Sequence, residues 1–146
     1  MKLEQFLTPE ATLCGVTGPD KNRVLLDLSA RAAKILGCDA AMITRDILKR
    51  EELGSTGMGG GIAIPHARLA NLDTPFGLLA RLKRPIEFDA IDGKPVDLVF
   101  LLLQPAGAES DLNALAAVAR ALREPGRLDR MRTAPSSAEL FRAVTE

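Results

Sequence analysis

The alternation of apolar and polar positions divides the chain into a helical opening, a strand-rich middle and a helical end. After a short amphipathic start around Leu3, Phe6 and Leu7, the segment Pro19 to Leu36 places Val24, Leu25, Leu28, Ala32, Ile35 and Leu36 on one helix face. Pro19 opens that helix and Gly37 closes it. Asp39 is positioned to cap a second helix, whose stripe runs through Met42, Ile43, Ile47 and Leu48 to a stop at Gly54. From Gly61 the pattern shifts to short β-type runs, GIAI, FGLLARL from Phe76 and VDLVFLLL from Val96, with a turn at Asp92-Gly93. The unbroken apolar stretch Leu98 to Leu103 predicts a central strand covered on both faces. Ser110 then caps a helix carrying Leu112, Leu115, Val118 and Leu122, which Pro125-Gly126 ends, and two more short helices follow. The last opens on Ser136-Ser137-Ala138-Glu139, a capping-box spacing, and carries Leu140, Phe141 and Val144.

Two helices, three or four strands and three helices, with a central strand buried on both sides, predict an α/β fold: a mixed sheet flanked by helices on both faces. At 146 residues, 47% of them hydrophobic, the chain is expected to form a single domain over 1–146 around one core. Nineteen basic residues balance nineteen acidic ones, which removes the positive field of a general nucleic-acid binder. Five Phe and no Trp or Tyr leave no stacking platform for single strands. The longest apolar run falls far short of the roughly 20 residues that cross a bilayer, so no membrane insertion is expected. The opening MKLEQFLTPE lacks a secretory pattern, and the expected location is the cytoplasm. In that reduced compartment Cys14 and Cys38, without CxxC spacing, read as small buried apolar residues.

Chemistry concentrates between Arg50 and Arg68, REELGSTGMGGGIAIPHAR, which holds glycines at 54, 57, 59, 60 and 61 and the only histidine of the chain. Such a glycine density permits positive φ and successive N–H groups aimed at one point, an anion cradle to which Ser55, Thr56 and the Arg50 guanidinium add donors. No Lys-Ser or Lys-Thr follows the glycines, and the third glycine of the dinucleotide fingerprint is missing, so neither nucleotide motif applies. Pro65 stiffens the backbone, so the short strand from Ile62 is expected to end with His66 held at its rim. A neutral imidazole beside an anion cradle is suited to carry a phosphoryl group. One His, two distant Cys and no carboxylate cluster exclude the usual zinc sets, and no metal or cofactor is expected. GSTG is not the GxSxG elbow of a serine hydrolase.

REELGST followed by GIAIPH resembles the active-site signature of the fructose and mannitol class of enzyme IIA domains of the bacterial phosphoenolpyruvate-dependent phosphotransferase system. The resemblance runs over nearly the whole chain, and a free-standing domain of this size is most similar to the nitrogen-regulatory group of that class. It implies that His66 accepts a phosphoryl group through Nε2 from a small carrier protein, HPr or its nitrogen-branch counterpart. It further implies that Arg50 and the Ser55-Thr56-Gly57 segment bind the phosphoryl oxygens, and that the output is regulatory. Two alternatives remain: transfer onward to a sugar-permease IIB domain, or a binding module that has lost phosphotransfer.

One position departs from the family pattern. Members commonly carry a second histidine at the start of the helix after the LLLxP strand, where this chain has Asp111. Asp111 is either a first-turn acid favoured by the helix dipole or a carboxylate that orients His66. The arginines at 120, 123, 127, 130 and 132 form either solvated helix faces or a docking patch for an acidic partner. An orienting Asp111 predicts that Asp111→His and Asp111→Asn both change the rate at which the chain is phosphorylated. A purely helix-capping Asp111 leaves both rates unchanged in a time course.

Overall fold

A computed structural model describes residues 1–107 and 111–146, the side chains of 111 and 112 excepted, so the capping role of Ser110 and the orienting role of Asp111 fall outside the described residues. Two short 3-10 turns lead into β1 (Thr12–Val16), followed by α1 (Lys21–Leu36) and α2 (Ala40–Glu52). Asp20, not Pro19, caps α1 by accepting from the Arg23 N–H at 2.9 Å, and Gly37 ends it in the left-handed region at φ 71°. Asp39 caps α2 as its position predicts, accepting from the Ala41 N–H.

The strands that follow are β2 (Gly57–Gly59), β3 (Ile62–Ala63), β4 (His66–Leu69), β5 (Phe76–Ile86) and β6 (Val96–Pro105). They form one mixed sheet in the order β1-β5-β6-β3-β2, and β4 also pairs with β6. β6 runs antiparallel to β5 and parallel to β3 and β4. Leu98 to Leu103 are all fully buried, which requires cover on both faces of this strand. α1 and α2 pack together and reach the sheet at β5 and β4, while α3 (Asp111–Ala121) and α5 (Ser137–Thr145) reach β6 and β1. The buried apolar residues join in a single cluster.

Three elements differ from the hydrophobic pattern. β1 escapes it because Gly15 takes φ 71° and shifts the register between Leu13 and Val16, breaking the alternation that marks a strand. β2 hides among glycines. Pro125 starts α4 (Pro125–Thr133) instead of ending the helix before it, because a first-turn proline loses no helical hydrogen bond. Cys38 is exposed and Cys14 half-buried, with the Arg81 guanidinium 2.8 Å from the Cys14 sulfur, so neither is the fully buried residue expected of it.

Phe6 meets Phe100 edge to face, with ring centroids 6.3 Å apart. Gly77 lies against this pair: a Cβ there would stand 2.8 Å from the Phe100 ring and 3.3 Å from Phe6. Gly77→Ala is therefore expected to destabilise the fold by about 1–3 kcal/mol through overpacking, read as a lower urea midpoint at unchanged slope.

Candidate functional site

His66 owes its position to an interruption in the sheet. β3 and β4 both run parallel to β6 and are separated by Ile64-Pro65. Pro65 cannot donate to the ladder, but its carbonyl accepts from the Leu102 N–H at 2.9 Å, and the Ile64 N–H donates to Thr56 O at 3.1 Å. The kink is thus pinned on both sides. Contrary to the sequence expectation, His66 does not end the strand from Ile62 but begins the next one, because pairing resumes only after the proline. Its Nδ1 lies 2.8 Å from Ile64 O. A carbonyl only accepts, so in the neutral ring Nδ1 carries the proton and Nε2 the free lone pair.

The half-buried imidazole lines a cavity of about 470 Å³ between the C-terminal end of α2, β4, β6 and α3. Arg68 faces the same side as His66, two residues along β4. Lys49 and Arg50 enter from the last turn of α2, so among the described residues three cations line the cavity together with the carboxylate of Asp46, which itself pairs with Arg45 at 3.6 Å. Arg50 is anchored by one bond, Nη1 to Gly54 O at 2.9 Å. Such a pocket suits a small anion. His66 and Arg50, predicted together from sequence, are brought together here. Arg68 was missed; once β4 is known to be a strand, the spacing of His66-Ala67-Arg68 identifies it.

Ser55, Thr56 and Gly57 do not line this cavity. The Ser55 hydroxyl donates to Phe88 O at 2.6 Å and accepts from the Gly57 N–H at 3.0 Å. The Thr56 N–H and hydroxyl both donate to Glu51, whose carboxylate also pairs with Lys21 at 2.9 Å. The two Thr56 donors therefore hold an internal anion, Glu51, and brace the end of α2, while Ser55 ties the loop to Phe88 O.

The glycine-rich stretch likewise departs from the expected cradle. Gly59, Gly60 and Gly61 take φ of 94°, 69° and 82°, but they turn the hairpin between β2 and β3. The Gly60 N–H donates to Asp92 at 3.0 Å, and Arg132 joins Gly60 O to Asp97. The N–H groups of Gly60 and Lys94 hold the Asp92 carboxyl below its ordinary value. The carboxylate that receives these amides belongs to the protein. Among the described residues no group of three or more His, Cys, Asp or Glu gathers as a metal site, and no helix is long and apolar enough to cross a membrane.

Removing Glu51 strands Lys21 and the Thr56 donors. Glu51→Ala is expected to cost about 3 kcal/mol in a denaturant titration, since breaking a largely buried pair leaves its partner unmatched.

Comparison with known proteins agrees with this architecture. Residues 5–146 match the family model described as phosphoenolpyruvate-dependent sugar phosphotransferase system, EIIA 2. A nitrogen regulatory protein of Bradyrhizobium diazoefficiens is 42% identical over 142 residues, 97% of this chain and 93% of its own. One from Pseudomonas aeruginosa is 43% identical over 148 residues, 100% and 96% of the two chains. The crystal structure of nitrogen regulatory protein IIA-Ntr from Neisseria meningitidis superimposes with a TM-score of 0.89 at 30% identity, over 98% of this chain and 99% of that one. Sequence signature, sheet order and relatives thus converge: the chain belongs to the EIIA 2 family of the phosphoenolpyruvate-dependent sugar phosphotransferase system.

Proposed function

We propose that this chain is a cytoplasmic phosphohistidine carrier: His66 Nε2 takes a phosphoryl group from the phosphohistidine of HPr or its nitrogen-branch counterpart, and the phosphorylation state regulates what the chain binds. The observation that carries the reading is the Nδ1 contact to Ile64 O in a ring that lines a cation-rich cavity. The Nε2 lone pair forms the new N–P bond while the donor's N–P bond breaks and its electron pair returns to the donor ring. As phosphorus bonds to Nε2 the ring gains positive character, and the carbonyl facing Nδ1–H stabilises it.

In this reading Arg50, with Lys49 and Arg68, offsets the charge on the phosphoryl oxygens. Thr56 acts indirectly, by holding Glu51 at the helix end that carries Arg50, while Ser55 and Gly57 fix the loop beside it through Phe88 O. The added group brings nearly two negative charges to the mouth of the sheet, enough to recruit or repel a partner without a change of fold. The nitrogen regulatory names of the full-length relatives favour a regulatory output over sugar transport.

Incubating the pure protein with phosphoenolpyruvate, enzyme I and the carrier is expected to place an acid-labile phosphate on His66, detected by mass spectrometry and abolished in His66→Ala. Arg50→Lys, which loses the planar fork, is expected to slow labelling by about 10–100-fold. A wild-type chain that stays unlabelled, or is labelled elsewhere, overturns the reading.

A further inference from the structure

We infer that Gln104 binds the phosphoryl group on His66, as a neutral hydrogen-bond donor among the cations; the inference rests on the phosphocarrier reading and extends it to a residue outside the family signature. Gln104 lies in β6, directly opposite Arg68, while His66 lies opposite Leu102. His66, Arg68, Leu102 and Gln104 therefore share one face of the sheet. The Cα positions of Gln104 and His66 are on the order of 8 Å apart, from two residues of rise and one strand spacing, so both side chains reach a group held between them.

The Gln104 side chain is the unusual feature of this wall. The residue is only 4% exposed, it borders the His66 cavity, and its Oε1 is buried with no hydrogen-bond partner among the described residues. It follows a run of six fully buried apolar residues, where an aliphatic side chain would satisfy the strand equally well. A buried carboxamide oxygen without a partner is unfavourable, which marks this side chain as placed for more than packing. Oε1 and the NH2 exchange places by a half-turn of the terminal torsion, so the side chain can present its NH2 to the cavity it borders. A phosphoryl group on Nε2 gives the NH2 an acceptor within reach. Being uncharged, the amide donates to that group without adding to the electrostatic hold of Lys49, Arg50 and Arg68, so it favours release to the next partner as well as capture. No bond to phosphorus is made or broken by Gln104; its role is to hold an oxygen while the nitrogen ligand changes.

The test uses the full chain in the same donor assay. Gln104→Leu keeps the volume and removes the donor: phosphate is expected to reach His66 about tenfold more slowly and to be lost to water faster, at an unchanged or raised melting temperature. Gln104→Glu keeps the shape and sets a carboxylate against the phosphoryl oxygens, and is expected to slow transfer about 100-fold. Transfer rates and phosphohistidine lifetimes within twofold of wild type in both variants overturn the inference. So does a loss of transfer accompanied by a lowered melting temperature in both, which assigns Gln104 to the scaffold. A wild-type chain that takes no phosphate sinks the phosphocarrier reading itself, and this inference with it, whereas wild-type labelling with indifferent Gln104 variants sinks this inference alone.

Discussion

The site depends on one hydrogen bond, from His66 Nδ1–H to the carbonyl of Ile64 two residues earlier. A ring and a carbonyl this close in sequence meet only if the backbone between them is bent and held. Pro65 supplies the bend, and β6 holds it through the Leu102 N–H. The carbonyl sets the tautomer without adding a charge. A carboxylate in its place would oppose the approach of a phosphoryl group, so a neutral acceptor is compatible with the carrier role proposed for this ring.

Around this bond the protein separates two electrostatic regions. One is closed: Glu51 is held by Lys21 and by Thr56, Lys21 lies over the Phe88 ring, and Ser55 caps the Phe88 carbonyl. The other lies at the cavity, which Lys49, Arg50, Arg68 and Asp46 line among the described residues. The helix α2 links the two, since Glu51 belongs to the closed region and its neighbour Arg50 to the cavity. Anchoring the end of α2 through Thr56 and Glu51 in the first region keeps Arg50 at the His66 cavity in the second.

The central strand connects that anchoring to the core. β6 carries six consecutive fully buried residues and then, at Gln104, a buried amide at the cavity wall. The same rigid strand that fills the core thus sets the distance between His66 and the polar groups next to it, because both are placed by its register with β4. A position fixed by a central strand is more precise than one on a loop.

Local patterns were enough to identify the helices α1, α2 and α5, the strands β5 and β6, and to bring His66 and Arg50, which line one cavity, into the same short segment, because capping residues, apolar periodicity and a solitary imidazole act over a few positions. They misjudged the glycines. From composition alone Gly59, Gly60 and Gly61 look like an anion cradle, but the Gly60 amide meets the carboxylate of Asp92, thirty-two residues away. Arg68 and Gln104 became visible only through strand pairing, since their approach to His66 follows from the register of β4 with β6 and not from spacing within either segment. Residue types and short-range spacing decided what chemistry the chain possesses; contacts between distant segments decided which donors remain open to a ligand, because a hydrogen bond already made to the protein's own carboxylate is no longer offered to anything else.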